Sequence, residues 1–470
     1  MEPPDQSRAT LMLGVLVLSA FVMILNETIL SVALRDLALD LNVATTTVQW
    51  LTSGFLLTMA VVIPTTGYLL VRFQPRQVYA AAMVLFTLGT LLGALAPGFE
   101  VLLVARVLQA GGTAVMIPLL MTTVMRTVPV ERRGATMGTI TIVIAVAPAI
   151  GPTIGGAVLS TLDWRWMFWL ILPFTAAALV IGTKILRLPT ETRKVPLDVF
   201  SMLLSAVGFS GVLYGLSTVG ETSETGPARA WTSIAIGLVA LAAFTWRQIR
   251  LQRDDRALLD LRPFRNRDFT VATAVSVLIF MCFLGASAIL LPLYLQTVLR
   301  TSTFVSGLVL LPGGLVMGFL GRPVGTLYDR VGARRLVIPG ASAMAVALWL
   351  FASLGTDSSL FEVVGIHMVL MAGISLMITP LMTDSLGALP SHLYSHGSAI
   401  LSTLQQVAGA FGTAVFVTLA AQGSRNPAGL PDADGLRLAF VAAGCVGLVA
   451  LVATFFIRKP RPTEPLGPKH

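Results

Sequence analysis

The chain has 470 residues, of which 55% are hydrophobic and only 12% charged. Soluble domains carry about 25% charged residues, so a row of soluble domains is excluded. Apolar runs of about twenty residues recur from end to end, each long enough to cross a hydrocarbon layer of ~30 Å as a helix. The net charge of +9 comes without a basic tract interleaved with aromatics, so it points to loop topology and argues against a nucleic-acid partner. Cys282 and Cys445 both lie inside apolar runs. Neither a disulfide framework nor a thiolate metal site is expected, and no metal ligand is assigned.

In chain order, spans are predicted at about 10–34, 46–70, 77–96, 100–124, 134–160, 166–186, 199–219, 230–249, 269–294, 303–322, 335–354, 360–384, 397–422 and 435–457. The first run ends near "SVA" (Ser31 to Ala33), a faint cleavage-like triplet. It is longer than the about 7–15 residues of a signal-peptide core and lacks a strong basic flank, so it is read as a retained span. Loops after even-numbered spans hold Arg72 and Arg76, Arg126, Arg132 and Arg133, Lys184, Arg187, Arg193 and Lys194, seven arginines from Arg247 to Arg267, and Arg322, Arg330, Arg334 and Arg335. The opposite loops hold single arginines such as Arg35, Arg165 and Arg300, beside acids such as Asp36, Glu221, Glu224, Asp357 and Asp432. The positive-inside bias places both termini in the cytoplasm of a multi-pass protein of the cytoplasmic membrane.

An internal repeat sets the architecture. "GFEVLLVARVLQAGGTAVMIPLLMT" from Gly98 aligns with "LFEVVGIHMVLMAGISLMITPLMTD" from Leu360, "GYLLVRFQPR" from Gly67 with "GTLYDRVGAR" from Gly325, and "RGATMG" from Arg133 with "HGSAIL" from His396. The shared offset, about 260 residues, exceeds one six-span half by two spans. The expected fold is all-α: two pseudo-symmetric six-helix bundles, 1–190 and 269–470, with two linker spans in 191–268. The last segment ends in a short cytoplasmic tail.

Polar residues inside the spans are the candidate site. Asn26 and Glu27 interrupt the first run. A charge at the bilayer centre costs about 2.5–3.5 kcal/mol even on a permissive scale, so an acid there is expected to face a cavity and act. Glu27 and Arg106 are each expected about six residues, ~9 Å, below the outer end of their spans. A carboxyl group shielded from water can exchange protons near neutral pH, whereas an arginine keeps its charge. Glu27 is therefore expected to alternate between a proton and either a substrate or Arg106; a permanently paired or snorkelling acid is the alternative. His367 either titrates or bonds a neighbouring helix. Gln109, Gln405 and Gln406 either meet substrate or tie helices together. Trp50 is an interfacial anchor or a ligand contact, and Asp384 reads as a solvated acid at a helix end.

The motifs "LNETILSVAL" (Leu25 to Leu34), "QWLTSGFLL" (Gln49 to Leu57, with Phe55), "DWRWMFWLILP" (Asp163 to Pro173) and "HGSAILSTLQQVAGAFGTA" (His396 to Ala414) occur in an order that resembles the major facilitator superfamily. More closely it resembles the fourteen-span drug:proton antiporters of the EmrB/QacA and lincomycin-resistance type. The resemblance implies that the first and fourth spans line a common cavity, with Asn26, Trp50, Phe55, Gln109, His367, Gln405 and Gln406 as candidate walls. It also implies a cytoplasmic latch at Gly325, Asp329, Arg330, Gly332 and Arg334, where span ten turns into span eleven and the acid is expected to favour the positive N-terminus of the next helix and to pair with arginine. An antiporter motif falls on Pro148, Gly151, Pro152, Gly155 and Gly156, expected to seal against a helix of the other half. Two departures stand out: Val71 replaces the latch acid in the first half, and Asn26 replaces the first-span acid, displaced to Glu27.

The implied function is proton-coupled efflux of amphipathic drugs or toxic small molecules by alternating access. The partners are the substrate, protons and the bilayer, the chain is expected to act as a monomer, and no cofactor is expected because the proton gradient drives the cycle. No Walker A sequence supports ATP drive. The alternative is a dedicated exporter of one lipid or secondary metabolite. A remote alternative is an intramembrane hydrolase, since "GASA" occurs at Gly285 and Gly340 and His367 is available.

Overall fold

A hydrocarbon environment offers backbone groups no hydrogen-bond partners, so an apolar chain crossing it satisfies them within helices. The computed structural model describes residues 6–30, 33–186, 192–193, 195–218, 226–424 and 431–458. The loop residues Arg187, Lys194, Glu221 and Glu224 lie outside the described residues, as does the side chain of Arg35. Among the described residues, fourteen helices are long and apolar enough to cross a membrane. Spans one to seven are Ala9–Ile29, Trp50–Arg72, Pro75–Ala94, Phe99–Thr127, Val130–Leu159, Arg165–Ile185 and Val199–Leu216. Spans eight to fourteen are Ala228–Asp254, Arg267–Thr297, Thr303–Val331, Arg334–Ala352, Leu360–Gly387, Ser391–Gln422 and Ala433–Thr454.

Several spans differ from the hydropathy reading, and span ten continues to Val331, so that Gly325, Asp329 and Arg330 lie on its helix and not in the loop after it. The first apolar run is not one helix to Leu34: span one stops at Ile29, and a separate short helix, Leu34–Asp40, follows. Hydropathy cannot register a break inside an apolar run. Glu27 therefore sits in the last turn of its helix, not six residues below the end. Span nine contains a π-helical stretch, Phe283–Leu290, where Gly285 lies against the Gly412 backbone and Gly409 against Leu284 of the facing spans.

Spans one to six form one bundle and nine to fourteen the other. Spans seven and eight pair tightly because glycine lets their backbones close: a Cβ on Gly215 would lie 2.7 Å from the Ala230 carbonyl oxygen, and one on Gly211 3.0 Å from the Gly237 Cα. Phe209 and Leu213 of span seven pack with Leu57 and Ala60 of span two and with Val407 and Ala410 of span thirteen. The linker hairpin thus covers the seam between the bundles on one side. At its base Arg247 donates to Asp198 at 2.8 and 3.0 Å, and Gln248 donates to Ser201 at 2.7 Å. Burial works against the Asp198 charge, but the bonds from Arg247 and Ser201 outweigh it and hold its carboxyl down at about 2.

The opposite seam is a row of small residues between spans five and ten. Gly325 meets the Gly134 carbonyl, Gly138 meets that of Gly321, and a Cβ on Gly314 would lie 2.5 Å from the Ala149 Cβ. Hydrogen bonds joining the bundles sit in the half of the molecule nearest the arginine-rich loops. Thr122 and Ser398 are 2.8 Å apart, Thr141 and Thr379 2.6 Å, and Arg126 donates to Ser395 at 3.3 Å. The molecule is sealed on its arginine-rich face.

A leucine at Gly138 would drive into the Gly321 carbonyl and the Arg322 backbone. Gly138→Leu is expected to pry this face apart, seen as longer spin-label distances between the arginine-rich ends of spans two and eleven. Unchanged distances in a folded variant would contradict the seal.

Candidate functional site

Span four carries Arg106 with no exposed surface. A buried guanidinium must be solvated by the protein itself. Its Nε donates to the Leu51 carbonyl at 3.3 Å, and its Nη1 donates to Asn26 Oδ1 at 3.3 Å and Gln109 Oε1 at 3.0 Å. The guanidinium also lies 4.1 Å from the centre of the Phe55 ring, a cation–π contact strengthened by the absence of water. Gln109 stands one helical turn from Arg106, the spacing that puts two side chains on one face. Its amide donates to Thr90 Oγ1 at 3.0 Å. This grip needs spans three and four in close approach, and Gly89 provides it: a Cβ there would lie 2.6 Å from the Ala105 carbonyl oxygen. Arg106 Nη2 is buried without a hydrogen-bond partner among the described residues.

Among the described residues, the groups that hydrogen-bond or stack on Arg106 are all neutral. Glu27, one residue from Asn26 and so about 100° around the helix, is half-buried. Among the described residues it makes no hydrogen bond or ion pair, though it lies within electrostatic reach of Arg106. Its neighbour Thr28 bonds back to the Ile24 and Leu25 carbonyls at 3.2 and 3.0 Å and packs directly on Gly151 of span five. A Cβ on Gly155 would lie 2.9 Å from the Ile29 carbonyl oxygen.

The antiporter-motif expectation needs correction here. Gly151 and Gly155 close on span one of the same bundle, and nothing lies within 4 Å of a Cβ on Gly156. Contacts with the other bundle come from the preceding stretch of span five, from Gly134 to Ala149. The reason is the helical period: the motif face and the seam face of span five point in different directions. Pro148 and Pro152 lie inside the helix, both half-buried.

The latch residues assemble differently from the sequence reading as well. Asp329 accepts from the backbone N–H groups of Gly134 at 2.8 Å and Ala135 at 2.9 Å. It therefore sits at the N-terminus of span five's main helix, Arg133–Leu159, across the seam, and not at span eleven. Unpaired N–H groups and the helix dipole both favour a carboxylate there. Gly325 packs on Gly134, and Gly332 adopts φ 79°, a left-handed conformation suited to glycine. Arg330 and Arg334 form no ion pair among the described residues. Asp384 is half-buried beside Tyr328 and not a freely solvated end acid.

Asn26, Phe55, Gln109 and Arg106 thus come together, and the fully buried Phe55 and Gln109 hold the arginine in place. The remaining candidates lie apart. Trp50 is 42% exposed and stacks on Tyr214 of the linker hairpin with ring centres 6.0 Å apart. His367 Nε2 bonds Ser287 Oγ at 3.1 Å, while its Nδ1 is buried, pressed on Gly313 and without a hydrogen-bond partner among the described residues. Gln405 is buried with an unpartnered amide nitrogen, and Gln406 is half-buried. Ser287 belongs to the first "GASA", but His367 has no group on Nδ1 to orient it as a general base. The Ser342 hydroxyl of the second "GASA" bonds the Ile338 carbonyl. Sequence reasoning missed the Leu51 carbonyl and Thr90, which carry no signature; the spacing of Gln109 from Arg106 was readable.

Two membrane-spanning helical bundles joined by a linker hairpin, the first with a charged cluster buried among its spans one to four, have the architecture of a membrane transporter rather than an enzyme. The chain belongs to the Major Facilitator Superfamily, whose model matches residues 16–413, and within it to the fourteen-span drug:proton antiporter type. It is similar to the lincomycin resistance protein LmrB of Bacillus subtilis, 41% identical over 94% of this chain and 95% of that protein. It is also similar to a multidrug resistance protein B homolog of Mycobacterium tuberculosis, 30% identical over 86% and 75% of the two chains. Among solved structures, the proton:xylose symporter XylE shares the fold, with a TM-score of 0.66, 16% identity and 97% of each chain covered.

Replacing Asp329 with Asn removes the charge and one of the two accepted bonds, a loss of about 1.5 kcal/mol, or roughly tenfold in a two-state ratio. Asp329→Asn is expected to shift the population toward a form open on the arginine-rich face, read by accessibility of cysteines placed along the seam. An unchanged labelling rate would remove Asp329 from the latch.

Proposed function

We propose that the chain exports amphipathic small molecules across the cytoplasmic membrane in exchange for protons, by alternating access to a site between its bundles. The observation that carries this reading is the half-buried, unpaired Glu27 beside an arginine whose hydrogen-bond partners among the described residues are all neutral. The names of the relatives, lincomycin resistance and multidrug resistance, support drugs as the cargo. The bundles take the bounds 1–190 and 269–470, the linker hairpin falls in 191–268, and the protein works as a monomer without a cofactor.

The arginine-rich face is cytoplasmic by the positive-inside bias, with both termini on that side. The seal of spans two, four and five against ten, twelve and thirteen then corresponds to an outward-facing conformation. In this state Glu27 takes a proton from outside as substrate departs. The neutral carboxyl no longer holds a cation, which lets the outer side close. Opening inward releases the proton, and the carboxylate recruits the next substrate, with the spare Arg106 Nη2 as the donor it can reach when empty. Arg106 is the fixed charge and Glu27 the mobile one. Each net charge moved inward supplies about 2.3 kcal/mol per 100 mV. Asn26 holds Arg106 without competing for the proton, and His367, Gln405 and Gln406 offer polar contacts on the opposite bundle.

Glu27→Gln keeps the shape and removes the proton. Proton-driven efflux of a dye panel from cells, and uptake into everted vesicles, are expected to fall to background. Gradient-driven exchange of the same dyes should persist. Protonophore-sensitive transport at the wild-type rate would overturn the coupling role.

A further inference from the structure

Where the linker hairpin meets the arginine-rich face, the chain carries seven arginines between Arg247 and Arg267 and three acids, Asp254, Asp255 and Asp260. The charges there are not matched in pairs. Asp198 is taken by Arg247, while Asp255 and Asp260 both bind Arg262, with Arg262 Nη2 2.5 Å from Asp255 and Arg262 Nε 2.7 Å from Asp260. Arg193 adds a second contact to Asp255 at 3.4 Å. Arg253 and Arg265 form no ion pair or hydrogen bond among the described residues, and both are exposed.

These two arginines flank a recess of about 210 Å³ lined by Ile249, Gln252, Arg253, Arg262 and Arg265. The recess has one apolar wall, and its surroundings are apolar too. Ile249 is 44%, Trp246 57% and Phe264 39% exposed. Such surface at the end of a membrane helix is stable only where lipid covers it. Arg250 lies over the Trp246 ring at 3.9 Å, an arrangement typical of the boundary between hydrocarbon and headgroups. Arginine forks match phosphate oxygens in geometry and charge.

We propose that this recess binds the phosphodiester headgroup of an anionic phospholipid, with Arg253 and Arg265 as the free ligands, Arg262 as the fixed third cation, and Ile249 and Trp246 against the glycerol and acyl chains. The site is separate from the transport reading and stands without it. It does have a mechanical consequence. The loop that carries it bonds the second bundle, Asp260 N–H donating to His396 Nδ1 at 3.2 Å and Asn266 Nδ2 to the Ala388 carbonyl at 2.7 Å, and reaches the first through Arg193, which contacts Asp255 from the connection before span seven and whose own N–H donates to the Val71 carbonyl at 3.1 Å. A headgroup drawing on Arg262 competes with Asp255 and Asp260, and so bears on a strap spanning the seam.

The test is native mass spectrometry of the full chain with phosphatidylglycerol and cardiolipin against phosphatidylcholine. The variants are R253Q/R265Q and R256Q/R267Q, which remove the same charge inside and outside the recess. The expected result is anionic-lipid binding weakened at least about tenfold in R253Q/R265Q and retained in R256Q/R267Q. Equal weakening in both variants would show diffuse surface attraction and overturn the site. Displacement of the lipid by glycerol 1-phosphate at equal concentration would assign the recess to a soluble phosphate and overturn the lipid. Circular dichroism and melting temperature establish that both variants are folded; should R253Q/R265Q melt early, the single variant R265Q, on an exposed loop position, carries the same comparison.

Discussion

The structure turns on a guanidinium that has no water. Arg106 is fully buried, and a charge in that position is tolerable only if the protein supplies its solvation shell. A backbone carbonyl, two side-chain amides and an aromatic face supply it here. None of these groups carries charge, so the positive field of Arg106 is left for something else to answer. That requirement fixes spans one, two, three and four relative to one another and gives Glu27 a reason to lie where it does. An acid at Asn26 would form a permanent ion pair with Arg106. Moving it one residue along the helix leaves it within the field and without a direct ion pair among the described residues.

The same bundle ties this charge site to the seam with the second bundle. Thr28 and Ile29, directly after Glu27, rest on Gly151 and Gly155 of span five, and the earlier stretch of span five forms the seam with span ten. In the proposed cycle, a rigid helix with one face on Thr28 and Ile29, next to the acid, and another on the opposite bundle is a physical route by which protonation and opening would bias each other. At the arginine-rich end of the same helix, Asp329 caps the N-terminal N–H groups from across the seam. The pseudo-symmetric position is Val71, which cannot do this. Its carbonyl instead accepts from Arg193, and His396, the counterpart of Arg133 in the repeat, accepts from Asp260. The interactions lost from the first half are taken over by chain around the linker hairpin, which gives spans seven and eight a structural task.

Much of this was legible in the sequence, for identifiable reasons. Span number and the two-bundle fold follow from hydropathy and from a repeat strong enough to align Gly67 with Gly325. The depth expected for Glu27 did not hold, because span one stops at Ile29 and leaves the acid in its last turn; Asn26, one residue earlier, is the side chain that meets Arg106. What failed were statements about direction. Hydropathy ran the first span through to Leu34 because Leu30 to Leu34 are mostly apolar, and it could not see the π-helical stretch from Phe283 to Leu290. The motif glycines were matched to the wrong neighbour, since small residues announce close approach without naming what approaches. Asp329 was assigned to its own next helix because local capping is the commoner pattern; its actual partner is 195 positions away in the chain.

The claim most exposed to test is that one carboxyl group exchanges its proton for cargo. Calorimetric titration of a transported dye into the purified protein, repeated in buffers of different ionisation enthalpy, counts protons released on binding. Release by the wild-type protein and none by Glu27→Gln, with dye still bound, is the result the account predicts. Equal release from both proteins would place the exchanging proton elsewhere and contradict it.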